Sequence, residues 1–159
     1  MTNMADASSK GGPLPGLLRP PIVLLSAISF GVALNLALPL PFVPSGLVSL
    51  GIVMVLAAVL LFGLSLREFR AAGTSVRGTE RTTTIVRTGP YRFSRNPIYL
   101  AFVLLLLGLA VWLNNLWLLM TLVLFAGFIS MMVIPREERF LERNFTQYSD
   151  YKATVHRWL

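Results

Sequence analysis

The chain has 159 residues, of which 55% are apolar and 13% charged, with a formal net charge of +7. Because soluble domains carry about a quarter charged residues, this composition predicts a membrane protein. The positive charge then indicates topology and attraction to anionic lipid, and no nucleic-acid partner is expected. Cysteine is absent and His156 is the single histidine, which excludes disulfides, thiolate chemistry and a histidine metal cage.

Two apolar stretches follow the N-terminal tail. Residues 1–19 are small, polar and interrupted by glycine and proline, which is typical of a disordered or interfacial segment. Residues 20–66 contain no charge and are too many for one bilayer crossing. The proline-rich break at 39–46 divides them, so we predict membrane spans over 22–38 and 47–66.

A polar, arginine-rich segment at 67–97 precedes a second uncharged run at 98–135. At about 1.5 Å per residue this run is roughly 57 Å long, enough for two crossings. The pair Asn114-Asn115 lies between two tryptophans, which favour the headgroup level, and therefore marks a turn. We predict the third and fourth spans over 98–113 and 116–135.

The tail at 136–159 is charged and aromatic. Its apolar residues recur mostly at spacings of three and four, which predicts an amphipathic helix on the membrane or packed on the domain; they are Phe140, Leu141, Phe145, Tyr148 and Tyr151. Every Lys and Arg lies in one of the two tails or in segment 67–97. By the positive-inside rule, both termini and that segment are expected in the cytoplasm. The sequence thus predicts an all-α integral membrane protein with about four transmembrane helices, forming one domain over 20–159.

The first polar cluster lies where the third span begins. Asn96 is a good helix N-cap and Pro97 fits the first helical position, where its missing N–H costs little. A helix N-terminus also attracts anions, and Arg92 and Arg95 strengthen that field. The neighbouring tyrosines at 91 and 99 are either interfacial belt residues or stacking groups for a flat or cationic ligand.

The second polar cluster follows the fourth span. Glu137 and Glu138 have no basic partner at helical spacing, and two adjacent carboxylates at the mouth of a bundle are costly without one. Their natural partners are the arginines of segment 67–97. Two alternatives remain open, an ion pair that clamps the tail to this segment, or a small zwitterionic, hydroxyl-bearing ligand held between the clusters. A second substrate would arrive from the bilayer.

The chain resembles a known group of integral membrane enzymes from about Gly46 onward. The resemblance rests on GTSV (73–76), IVRTGPYRFSRNPIYLA (85–101) and EERFLERNFTQYSDYKATVHRWL (137–159). These stretches are similar to motifs of the isoprenylcysteine carboxyl methyltransferase and phospholipid methyltransferase group. That resemblance implies a helical membrane core whose cytoplasmic segments enclose S-adenosylmethionine. It also implies methyl transfer to a lipid-like or prenylated acceptor, a carboxylate or an amine, entering from the membrane.

The resemblance also implies roles for individual residues. Those expected at the cofactor are Tyr91, Arg95, Asn96, Pro97, Tyr99, Glu137, Glu138 and Leu141. Those expected at the acceptor are Arg92, Tyr148, Tyr151 and Arg157, with Arg92 and Glu138 taking part in catalysis. Two positions depart from the family pattern, since many members have His at the position of Asn96 and Gly at that of Thr146. An asparagine cannot titrate, which rules out a proton shuttle there and leaves the acceptor open.

Three other functions make different demands on the sequence. A proton-coupled multidrug carrier needs an ionisable residue within the membrane, and neither 20–66 nor 98–135 contains one. A non-enzymatic membrane scaffold or lipid-binding protein would not require the two clusters to converge. A membrane reductase of related architecture would use a nicotinamide cofactor. The predicted partners are therefore a lipid or prenyl-type substrate and membrane lipids, with no metal.

Overall fold

The computed structural model describes residues 18–73 and 85–159. In these stretches all regular structure is helical, which confirms the predicted all-α class. Most of the predicted N-terminal tail and the motif residues 74–76 lie outside the described residues. The four apolar helices are α1 (Pro20–Ala37), α2 (Val48–Ala71), α3 (Pro97–Trp112) and α4 (Leu116–Phe128).

The fourth helix does not end where the charged tail begins. A π-helical turn at Ile129–Val133 joins α4 to α5 (Ile134–Asn144), and α6 (Tyr148–Thr154) follows after a short break. Pro135 lies in the first turn of α5, where a missing N–H is tolerated. The wider π turn before it absorbs the change of register, because single π turns insert into otherwise continuous helices. The fourth predicted span and the start of the tail are therefore one helical run.

Three of the helical stretches are long and apolar enough to cross a membrane by length and composition. They are Pro20–Ala37, Ser45–Ala71 and Leu116–Asn144. The helix α3 is apolar but has only 16 residues, a length of roughly 24 Å against the ~30 Å hydrocarbon core of a bilayer. The structure thus supports a membrane protein without confirming the count of four spans.

The helices pack in the order α1, α4, α3, α2, so that α3 and α4 form the centre. Their contact is built from a cluster that includes Leu106, Leu118 and Phe125. The α2–α3 pair approaches most closely at Gly51 and Gly108. A Cβ atom at Gly51 would lie 2.3 Å from the Trp112 backbone nitrogen, so glycine lets the two backbones touch, as small residues do between membrane helices.

One end of the bundle, which we call the turn end, comprises residues 38–43 and 113–117. Asn114 Oδ1 accepts hydrogen bonds from the backbone N–H groups of Phe42 (2.8 Å) and Val43 (2.7 Å). The Trp117 indole donates to the Leu38 carbonyl at 2.8 Å. The turn predicted at Asn114-Asn115 is present and packs against the proline-rich break. Both connections therefore lie at the same end of the molecule.

Candidate functional site

The opposite end of the bundle, which we call the charged end, comprises residues 87–99, 137–142 and 147–157. Here the C-terminal residues lie across the start of α3. The Arg95 N–H donates to the His156 carbonyl at 3.0 Å, and the Asn96 side chain donates to the Arg157 carbonyl at 3.1 Å. Ser94, which is buried, donates to the same Arg157 carbonyl at 3.2 Å. These bonds fix the entry into α3 against the end of the chain.

The prediction for Asn96 was correct for its position and wrong for its side chain. Asn96 is the N-cap residue and Pro97 begins α3, as expected, but the Asn96 side chain accepts no capping hydrogen bond. Its amide points to the C-terminal segment, because a carbonyl of that segment lies within reach and the buried Ser94 hydroxyl accepts the Asn96 N–H at 3.1 Å. The start of α3 is thus held by protein groups.

Glu138 lies at the centre of the charged end. Its Oε1 is 2.9 Å from Arg95 Nη1, and the Arg95 and Glu138 side chains are only 9% and 7% exposed. Arg157 donates to both carboxylate oxygens, from Nη2 at 2.6 Å and from Nε at 3.2 Å. These hydrogen bonds raise the pKa of Arg157, which keeps its guanidinium charged. As predicted, an arginine of segment 67–97 pairs with a carboxylate of the tail, and Arg157 completes the cluster.

Glu137 has different surroundings from its neighbour. Its Oε1 accepts a hydrogen bond of 2.6 Å from the hydroxyl of Tyr99, which is buried. The expected arginine partner is found for Glu138, whereas no arginine within the described residues pairs with Glu137 at ion-pair distance. The Glu137 side chain is nonetheless exposed. Its carboxylate accepts this hydrogen bond and has further lone pairs that can accept others.

Aromatic side chains form a wall beside the ion pair. The Tyr151 hydroxyl donates to the Tyr91 carbonyl at 2.7 Å, and Phe69 meets the Tyr91 ring edge-on, 5.2 Å between centroids. The Arg87 guanidinium lies 5.5 Å from the centre of the Tyr151 ring. Burial raises the pKa of Tyr151 to about 12, so this hydroxyl remains a donor at neutral pH. A cavity of about 70 Å³ lies among these groups, and it is lined by Phe69, Ile85, Val86, Tyr91, Arg95, Leu141, Tyr148 and Tyr151.

Three side-chain polar atoms at this wall are buried without a hydrogen-bond partner in the described part of the chain. They are the Tyr91 hydroxyl oxygen and the Nε and Nη1 nitrogens of Arg95. Arg95 Nη1 is close to Glu138, but its N–H does not point along that contact, which is therefore ionic and not a directed hydrogen bond. A buried unpaired polar group costs about 1–3 kcal/mol, and within the described residues such atoms occur only here. Their clustering makes this wall the candidate site for a polar ligand.

The structure brings together nearly all of the residues that the sequence predicted for the site. Leu141 lines the cavity, Tyr148 and Tyr151 are buried beside it, and Pro97 is buried at the start of α3. The exception is Arg92, whose side chain is exposed next to Phe93, itself 72% exposed. An open groove of about 420 Å³ also borders the site; Arg95 and residues 152–157 line it.

Sequence reasoning assigned no site role to four residues that support this end. Ser94 and Arg87 bond to the C-terminal segment, while Thr88 donates to Glu68 at the end of α2. A buried serine or a charged residue beside a membrane span carries no distinguishing pattern. Glu68 in particular resembles the ordinary charges that end transmembrane helices.

Apolar helices that end in a buried, incompletely bonded polar cluster define an integral membrane protein with a candidate ligand site at one end. The family model described as phospholipid methyltransferase matches residues 46–148, which include both Arg95 and the glutamate pair. The chain belongs to the phospholipid methyltransferase family of integral membrane methyltransferases. No curated protein and no solved structure matches the chain.

Proposed function

We propose that the protein transfers the methyl group of S-adenosylmethionine to a lipid-like or prenylated acceptor, a carboxylate or an amine, that enters from the bilayer. The observation that carries this proposal is the buried Arg95–Glu138 pair, with unpartnered donors of Arg95 and Tyr91 beside an aromatic cavity. Membership of a membrane methyltransferase family supports the same reaction. We also propose that the charged end faces the cytoplasm, in accordance with the positive-inside rule.

The donors and acceptors at this end suit the polar groups of the cofactor. The unpartnered Arg95 Nε and Tyr91 hydroxyl can donate to a carboxylate, and Glu137 and Glu138 can accept from an ammonium group or from ribose hydroxyls. Leu141, Tyr148 and Tyr151 supply an apolar wall of the kind that ligand pockets require. A cavity of about 70 Å³ is smaller than this ligand, so binding requires Arg95 or the C-terminal segment to move.

When bound, S-adenosylmethionine supplies a methyl group on a sulfonium, which needs no covalent nucleophile from the protein. The work left to this chain is to hold two reactants in line and to exclude water, worth several kcal/mol of the barrier. We assign the cofactor side to Arg95 and Glu138. Glu137 is assigned to the cofactor as well, and Arg92, which is exposed, is assigned to the acceptor. Arg157, first expected at the acceptor, bonds to Glu138 and holds it in position.

Transfer of labelled methyl from S-adenosylmethionine into a host lipid extract, with the product identified by mass, tests this function. Glu138→Gln and Arg95→Ala are expected to lose transfer and cofactor binding while still inserting into the membrane. Glu142→Gln is a matched control, because this carboxylate is on the same helix but pairs with Lys152 at the surface. Unchanged cofactor binding by calorimetry in both site variants would contradict the assignment. Stabilisation of the wild type by NADPH alone would favour a reductase instead.

A further inference from the structure

The last turn of α2 carries a carboxylate that the proposed reaction does not use. Glu68 has a side chain that is only 14% exposed, although it lies in a polar part of the chain. Its Oε2 accepts a hydrogen bond from the Thr88 hydroxyl, twenty residues later, where the described chain returns toward α3. Arg67 also contacts Glu68, at 3.3 Å, but its side chain is 72% exposed, and such surface pairs contribute little.

The residue after Thr88 is fitted to the same carboxylate. Gly89 has a φ of +56°, a backbone conformation that residues other than glycine adopt only with strain. A Cβ atom there would lie 2.8 Å from Glu68 Cγ and 2.9 Å from Cδ. Glycine at this position is therefore required by the backbone, and it also leaves room for the Glu68 side chain. Thr88 and Gly89, which belong to the resembled motif, therefore form the surface against which the Glu68 side chain packs.

A short series of backbone hydrogen bonds connects the Thr88-Gly89 turn to the candidate cofactor site. The Tyr91 N–H donates to the Thr88 carbonyl at 3.1 Å, and the Ser94 N–H donates to the Pro90 carbonyl at 3.2 Å. Arg95 is the residue that follows Ser94 in the chain. Phe69, the neighbour of Glu68 on α2, packs edge-on against Tyr91. The position of α2 is thus transmitted to the two residues that carry the unpartnered donors.

We propose that Glu68 is a positioning residue, which fixes the Thr88-Gly89 turn and thereby places Tyr91 and Arg95 for ligand binding. This inference rests on the proposed function, because the ligand that it concerns is S-adenosylmethionine. The same turn has a second attachment, since Arg87 donates to the Gln147 carbonyl and Tyr151 donates to the Tyr91 carbonyl. Removal of Glu68 therefore loosens the turn from α2 while α6 still holds it, and the expected effect is local.

The test compares variants that keep or lose the hydrogen-bond acceptor, in the full chain reconstituted in lipid nanodiscs. Glu68→Ala removes the acceptor, whereas Glu68→Gln keeps an oxygen to which Thr88 can donate. Two variants at the donor form a matched pair, because Thr88→Val removes the hydroxyl at nearly constant volume and Thr88→Ser retains it. Hydrogen–deuterium exchange over 87–95 reports on the turn without any ligand. Calorimetry with S-adenosylhomocysteine, the demethylated cofactor, reports on binding.

Glu68→Ala and Thr88→Val are expected to raise amide exchange over 87–95 and the dissociation constant by roughly three- to tenfold each, because the lost hydrogen bond is solvent-exposed and has an ordinary net value. Glu68→Gln and Thr88→Ser are expected to stay within about twofold of the wild type. Exchange over 97–112 is expected to stay unchanged in all four.

Unchanged exchange over 87–95 in both Glu68→Ala and Thr88→Val would overturn the positioning role, whether or not the protein binds the cofactor. Raised exchange with an unchanged dissociation constant would overturn the link between the turn and the ligand. A wild-type protein that binds neither form of the cofactor would refute the proposed function. Exchange would still decide whether Glu68 fixes the turn in that case, so the two failures are distinguishable.

Discussion

The turn end and the charged end are both held by polar side chains that reach across the fold, but they differ in how completely those side chains are bonded. At the turn end the connections are neutral. Asn115, which is 1% exposed, donates to the Gly31 carbonyl at 3.2 Å and accepts the Leu118 N–H at 3.2 Å. At the charged end, buried ionic groups meet and the Tyr91 hydroxyl and Arg95 Nε are left without partners.

The comparison separates polar groups that hold the fold from those that are available to a ligand. Buried polar groups are normally paired, and each one left unpaired reduces stability. The described turn end shows no such deficit, so its asparagines are explained by structure alone. The charged end keeps buried donors unpaired, and the chain belongs to a family of methyltransferases. Unsatisfied burial, and not charge by itself, distinguishes the candidate site.

The largest expected effect is on stability at the turn end. Asn115→Ala removes the cap of α4 and the buried side-chain hydrogen bond to the Gly31 carbonyl. The combined loss is about 2–4 kcal/mol of unfolding free energy. Equilibrium unfolding in detergent micelles measures it. Asn144→Ala is the matched control, because Asn144 is exposed at the end of α5 and bonds only to the Phe140 carbonyl, and we expect a change below about 0.5 kcal/mol.

Asn115→Ala must also leave cofactor affinity in the folded protein unchanged. A loss of affinity comparable to the loss of stability would show that the turn end contributes to the site, and the contrast between the two ends would fail.

The next largest effect is expected at Arg95, where one substitution separates the positive charge of the side chain from its hydrogen-bond donors. Arg95→Lys keeps a positive charge for Glu138 but removes the unpartnered Nε donor. We expect cofactor affinity to fall by about ten- to a hundredfold, the value of one or two charge-assisted hydrogen bonds. Thermal stability is expected to change little, because Arg157 still neutralises Glu138. Calorimetric binding and a melting curve on the same sample check both halves, and full affinity in Arg95→Lys would mean that charge alone suffices.

A smaller effect of opposite sign is expected at Tyr91. Tyr91→Phe removes a buried hydroxyl that has no partner, so the ligand-free protein should gain about 1 kcal/mol of stability. The same change should weaken cofactor binding if this hydroxyl serves the ligand. Tyr151→Phe is the control, since its hydroxyl already donates to the Tyr91 carbonyl and its removal should destabilise the ligand-free protein. Destabilisation by Tyr91→Phe would show that the hydroxyl has a structural partner.

The sequence was sufficient to predict much of the fold, because hydrophobic length is a direct consequence of the bilayer. The uncharged runs became α1 to α4, and Asn96-Pro97 predicted the start of α3. The pairing of Glu138 with an arginine of segment 67–97 also followed, because two adjacent carboxylates need compensation. The end of the uncharged run at 135 set the end of the fourth predicted span, whereas the π turn carries the helix through to Asn144.

The sequence did not predict contacts that depend on where a distant segment returns. Asn96 has the composition of a cap, and only the nearby Arg157 carbonyl explains why its amide turns away. A charged residue such as Glu68 is common at the end of a membrane span. Its contacts with Thr88 and Gly89 are visible only in the folded chain. Local patterns predict local structure, whereas these side chains are oriented by partners that lie 20 to 61 residues away.

The smallest effect is expected at Lys152, and it tests whether burial or charge defines the charged end. Lys152 pairs with Glu142 at 2.6 Å, but the two side chains are 44% and 40% exposed, so Lys152→Met should cost less than about 1 kcal/mol of stability. Lys152 also lines the open groove next to Arg95. Cofactor affinity within about twofold of wild type would place binding at the buried cavity. A loss of affinity as large as that of Arg95→Lys would place the binding site in the groove, because an exposed lysine contributes that much affinity only if it contacts the ligand.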